Sequence, residues 1–162
     1  MHFIQFAKSA AALLLFVLTF AAPAHAQNNK QIISGTFYED RASINGNFAT
    51  ATLTFTQTPS DKFLNITHVN CTISVLSNQI LAVAELGVGT TPGAVDLGRP
   101  MSVRGNTTGE AAGGSKYYSV ITQVYYKIGP GRYPWLSIAT AASTGSFALN
   151  GACTIVGELT DS

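Results

Sequence analysis

The sequence predicts an all-β fold, an antiparallel two-sheet β-sandwich of about eight or nine strands, and three observations carry that prediction. Apolar residues recur at every second position in segment after segment. Clusters of Gly, Pro, Asn and Ser separate those segments at roughly 8–12 residue spacing. Beyond the first 26 residues no helical period is sustained. Such signals are shared by sandwiches of the jelly-roll or Ig-like kind and by small barrels. Cys71 and Cys153 favour the sandwich, because each sits on the apolar parity of its segment, between Val69 and Ile73 and between Leu149 and Ile155. A buried disulfide between strands or sheets is then geometrically natural.

Gln31 to Tyr38 alternates loosely, and the stretch Glu39 to Asn47, which contains Asn45-Gly46, is expected to reverse the chain. Phe48 to Gln57 alternates strictly, with Ala49, Ala51, Leu53 and Phe55 on one face and Thr50, Thr52, Thr54 and Thr56 on the other. After Pro59-Ser60-Asp61, the segment Phe63 to Leu76 carries Leu64 and Ile66 on one parity and Val69, Cys71, Ile73 and Val75 on the other. A straight strand would turn half of these outward, so a bulge near Thr67-His68 is predicted. Ser77-Asn78-Gln79 turns the chain into a set formed by Ile80, Ala82, Ala84, Leu86 and Val88. The alternative there is a short helix capped by Ser77 and ending before Gly87, and the flanking strands favour strand.

Gly89 to Gly93 and Gly105 to Ser115 read as loops, and Val95 to Val103, broken by Pro100, reads as a short edge strand. Tyr117 to Ile128 is a strand with Tyr118, Val120, Val124, Tyr126 and Ile128 on one face. Gly129-Pro130-Gly131 turns into a strand from Trp135 to Ala141, Ser143-Thr144-Gly145 turns again, and Phe147 to Leu159 closes the fold.

Lys8, an apolar run from Ala10 to Ala22, and Pro23 followed by Ala24-His25-Ala26 make residues 1–26 a secretory signal peptide. Its removal leaves a single domain, residues 27–162, expected in the periplasm or outside the cell without a stable membrane anchor. Of nine basic residues Lys8 departs with the leader, so eight face eight acids, scattered without a run of either sign. That balance argues against nucleic acid, which is bound through clustered Lys and Arg. In an oxidising compartment Cys71 and Cys153 are expected to pair. Two buried free thiols are the alternative.

The mature chain holds one histidine, His68, which rules out a multi-histidine metal site, and its place at the register change favours a local structural role over that of a triad base; no metal or cofactor is expected. Paired carboxylates are the remaining catalytic option, with Glu85, Asp96, Glu110 and Glu158 as candidates. The better signal is aromatic. Tyr117, Tyr118, Tyr125 and Tyr126 place tyrosines on both faces of one strand, so two rings must point away from the core. The loop after it presents Arg132, Tyr133 and Trp135 between Gly129, Pro130, Gly131 and Pro134. Rings beside a guanidinium make a stacking surface, so Tyr125, Arg132, Tyr133 and Trp135 are the candidate binding residues. Packing of Trp135 in an inward-facing strand is the competing reading.

These observations point to an exported, non-catalytic protein with a binding or structural role at the cell envelope or outside the cell, its partner a carbohydrate or an envelope or extracellular protein. A small secreted carboxylate-dependent hydrolase of glycosidase type is one alternative. A surface-assembly subunit is another, although Gln27-Asn28-Asn29-Lys30 offers no apolar segment to donate.

Overall fold

Alternation becomes ten strands in the computed structural model, which describes residues 29–103, 105, 108–143 and 145–161. They are β1 (Lys30–Ser34), β2 (Phe37–Gly46), β3 (Thr50–Thr54), β4 (Lys62–Leu76), β5 (Gln79–Gly89), β6 (Met101–Ser102), β7 (Glu110–Ala112), β8 (Ser115–Ile128), β9 (Tyr133–Ala142) and β10 (Leu149–Asp161). All pairings are antiparallel. A six-stranded sheet runs β1-β2-β10-β4-β8-β7 and a four-stranded sheet β3-β9-β5-β6, the two forming a sandwich. The predicted leader lies outside the described residues.

The predicted faces form the core. Leu53 and Phe55 from β3 and its continuation, and Leu86, Leu136 and Ile138 from β5 and β9, meet Leu64, Ile66, Ile73, Val120 and Ile155 of the larger sheet. All ten are at most 1% exposed. Burying a side chain of this size contributes roughly 1.5–3 kcal/mol each, which offsets the conformational entropy of ordering the strands. The bulge expected near Thr67-His68 is present: in β4 the pairing with β10 passes from Ile66 to His68 and leaves Thr67 unmatched, which returns both apolar sets to the core. Cys71 and Cys153 are bonded across directly paired positions of β4 and β10, with their Cα atoms 4.1 Å apart.

Four sequence expectations change. The first reversal falls at Gly35-Thr36, where Gly35 alone takes a positive φ of 61°, the pattern of a type II′ hairpin turn. Glu39 to Gly46 therefore continues as strand, and the chain crosses to the other sheet only after Asn45-Gly46. In β5, strand rather than helix, the pairing with β9 shifts between Leu81 and Val83. Ile80 consequently points outward, 53% exposed, while Ala84, Leu86 and Val88 point inward. From Val95 to Val103 only Met101–Ser102 pairs as an edge strand, because the preceding residues cross the outside of the smaller sheet. The loop predicted from Gly105 to Ser115 contains β7, a three-residue edge strand on β8. The separation of β1 from β2 and the added edge strand β7 raise the count to ten.

A polar knot closes one end of the sandwich. The buried Gln79 accepts at Oε1 from the backbone N–H groups of Leu76 and Ala148, both at 3.0 Å, and donates to Thr140 Oγ1 at 2.9 Å. Thr140 in turn donates to the Ala49 carbonyl at 3.0 Å. Four chain segments are joined through one amide, and its polar atoms are satisfied as burial requires.

Candidate binding face

Alternation that sends apolar residues inward lays the intervening residues on the outer face of the larger sheet, and strand register decides which of them become neighbours. Asn45 pairs with Asn150, Asn150 with Ser74, and Ser74 with Tyr117, so residues far apart in sequence form one row across β2, β10, β4 and β8. The next row is Ser43, Ala152, Thr72 and Ser119; the one after it is Arg41, Thr154, Asn70 and Ile121. Small side chains in the middle leave a shallow depression of about 480 Å³, with Tyr117 on one flank and Arg41 on the other. Three strand spacings separate Asn45 from Tyr117, about 14 Å, and four residues along β2 separate it from Arg41, about 13 Å.

The lining of this depression mixes the amides and hydroxyls of Asn45, Asn150, Thr72 and Ser74 with the apolar Ile44, Gly151 and Ala152, and one phenol and one guanidinium stand at its flanks. Beyond it the same face continues along β8 through Ile121, 75% exposed, to Tyr125, 83% exposed. The sequence expectation of two outward tyrosines is met by Tyr117 and Tyr125. Asn45, Asn150, Thr72, Ser74 and Arg41 carried no signal in the sequence, since only pairing of distant strands gathers them.

Arg132 and Tyr133 lie elsewhere, where β8 turns into β9. The buried Thr58 fixes this turn: its N–H and Oγ1 donate to the Arg132 carbonyl at 2.8 and 3.2 Å, its Oγ1 also donates to the Gly129 carbonyl at 2.9 Å, and it accepts from the Arg132 N–H at 2.9 Å. Gln57 Nε2 adds a bond to the Gly131 carbonyl at 3.1 Å. Trp135 is only 4% exposed and lies apart from the core between the sheets. Tyr125 and Trp135 thus belong to different sheets, and Trp135 is not at the surface.

The four candidate acids are dispersed. Glu85 stands on the outer face of the smaller sheet, opposite Ser137, and Glu158 on the outer face of the larger one, between Phe37 and Asn65. Glu110 sits on the edge strand β7 opposite Tyr117, and Asp96 folds back on Thr90. His68 bonds through Nδ1 to Thr67 Oγ1 at 3.0 Å, at the bulge. Among the described residues no three His, Cys, Asp or Glu side chains gather as a metal site.

Among the described residues, the one carboxyl held above the usual range belongs to Asp40, which sequence reading placed in a turn. Burial raises it, against the opposing effect of the Thr56 N–H that donates to Oδ2 at 2.6 Å. Tyr38, itself raised by burial, donates to the same oxygen at 3.5 Å, and Oδ1 is buried without a hydrogen bond. Asp40 is 0% exposed, out of reach of any solute, and its bond to Thr56 ties β2 to the segment that follows β3. Because the folded pKa lies above the usual 3.8, stability is fully retained below that value and is lost as pH rises through the folded pKa. Asp40→Asn keeps an acceptor for Thr56 and removes the charge. It is expected to raise stability at pH 7.5 by on the order of 1 kcal/mol and to match the wild type in acid, as read by urea unfolding at both pH values.

Comparison with protein-family models, curated proteins and solved structures returns no match for this chain.

Proposed function

We propose that this chain is an exported, non-catalytic binding protein of the cell envelope or the extracellular space, whose larger sheet takes a neutral, hydroxyl-rich ligand of the carbohydrate class on its outer face. The observation that supports this most is the depression between Tyr117 and Arg41, paved with Asn45, Asn150, Thr72 and Ser74. Amides and hydroxyls both donate and accept, which suits sugar hydroxyls, and an aromatic flank suits the apolar face of a sugar ring. A protein partner would call for large apolar or aromatic side chains at the centre, and the middle of this face holds only small ones, Ser43, Ala152, Thr72 and Ser74. The length and flatness of the rows favour an oligosaccharide lying across the strands over a small molecule held in a pocket.

A glycan array probed with the disulfide-intact protein, followed by calorimetric titration of the hits, tests the reading. Tyr117→Ala and Arg41→Ala are each expected to weaken binding about tenfold, the effect of losing an aromatic or charge-assisted contact worth roughly 1.4 kcal/mol. Folding should be little affected, because both side chains are exposed. An empty array, or binding that survives the double substitution in a folded protein, overturns the proposal.

A further inference from the structure

Trp135 is the chain's single tryptophan, and its burial has an unusual origin. Leu136 and Ile138 of β9 fill the core, so alternation turns Trp135 to the outer face of the smaller sheet. The indole lies over Gly87, its directly paired neighbour on β5; a Cβ there would stand 2.1 Å from the ring. On the other side its paired neighbour is Thr54 of β3.

The segment that leaves β5, Thr90 to Gly98, passes over the ring. A Cβ on Gly89 would meet the Ala94 carbonyl oxygen at 2.1 Å, and one on Gly93 would lie 3.6 Å from Thr54 Oγ1. Gly89 pairs with Tyr133, and Thr54 with Trp135, so a segment touching both must pass over β9 at these two residues. Within it, the Ala94 N–H donates to the Thr91 carbonyl at 3.1 Å, and the Asp96 carboxylate accepts from the Thr90 N–H at 3.0 Å and from the Thr90 hydroxyl. Beyond Gly98 it is anchored to β8, where the Tyr126 hydroxyl donates to the Arg99 carbonyl and the Arg99 guanidinium lies 5.3 Å from the centre of the Tyr126 ring. The two bonds from Thr90 hold Asp96 below the usual carboxylate range, so the clasp is charged through neutral pH. The segment shields Trp135 while leaving its own Val95 and Leu97 59% and 38% exposed. Beneath it, Trp135 Nε1 is buried without an acceptor, an unsatisfied donor that works against closure.

We propose that Thr90–Gly98, hinged at the Arg99 anchor, is a lid over a second carbohydrate subsite, with Trp135 as its floor and Arg132 and Tyr133 at its margin. Lifting the lid bares an indole platform and an N–H donor for a sugar oxygen. The ligand class is taken from the function proposed above, while the lid rests on its own geometry.

Tryptophan fluorescence reads this site alone. In the wild type, acrylamide should quench the emission weakly. Asp96→Asn, which weakens the clasp, should raise the quenching constant about twofold or more. Titration of that variant with gluco-, chito- and galacto-oligosaccharides should shift its emission saturably for at least one series, at about threefold lower concentration than in the wild type. Thr90→Val serves as the same test should Asp96→Asn not fold by circular dichroism. Tyr117→Ala should leave the fluorescence titration unchanged, so loss of glycan binding at the larger sheet and loss of the lid site are distinguishable. Unchanged quenching in a folded clasp variant, or increased quenching with no response to any saccharide, overturns the inference.

Discussion

Reducing the Cys71–Cys153 bond is expected to lower the free energy of unfolding by about 4.5 kcal/mol, the chain-entropy value for releasing a closed loop of this length. The two positions are 82 residues apart, so the oxidised unfolded chain loses much of its freedom while the folded one is held where register already places it. A sandwich of this size has a net stability of about 5–15 kcal/mol, so the reduced form should lie near the threshold of unfolding at physiological temperature. Urea unfolding of the native protein, the reduced protein and the Cys71→Ser, Cys153→Ser variant checks this. Midpoints that coincide would show that strand pairing alone restrains the unfolded chain as strongly as the bond.

Gly157→Ala should be the most damaging single substitution to a small side chain, at about 3 kcal/mol. Gly157 lies on β10 where the pairing with β4 steps over Thr67, and the bulge brings the two backbones together. A Cβ there would stand 2.2 Å from the Asn65 carbonyl oxygen and 2.9 Å from Ile66 Cα. These are backbone atoms in the middle of the sheet and cannot swing aside as a flexible side chain would, so the strands must part or the register must slip. A slip by one residue would turn the apolar set of β10 to solvent. Thermal unfolding of the alanine variant should show the loss directly, and a variant as stable as the wild type would mean that the bulge can migrate.

These two effects also mark how far the sequence could be read. Strict alternation located β3 and the inward face of β8, and the broken parity of Phe63 to Leu76 located the bulge, because apolar burial acts residue by residue along one strand. Asn45-Gly46 misled, since its turn signal outweighed the weaker alternation of Tyr38, Asp40 and Ala42, and a buried carboxyl looks like a loop residue until its partner on Thr56 is known. The sequence of its own segment leans towards packing Trp135 in an inward-facing strand over presenting it at the surface, and only Gly87 on another strand and the segment crossing above it decide that it is neither. The candidate face was illegible for a related reason. Asn45, Asn150, Ser74 and Tyr117 come from four strands, and no local pattern encodes which of them end up side by side.

The position of β10 has a consequence for how the chain comes into being. β10 is the last strand in order, yet it lies between β2 and β4 near the middle of the larger sheet. A polypeptide emerging N-terminus first therefore carries β2 and β4 with no shared neighbour until Leu149–Asp161 arrives, and Cys71 waits through the synthesis of nearly the whole sandwich for its thiol partner. Long-range pairing of this kind is slow to nucleate. The larger sheet thus assembles in one late event, once its final segment is free.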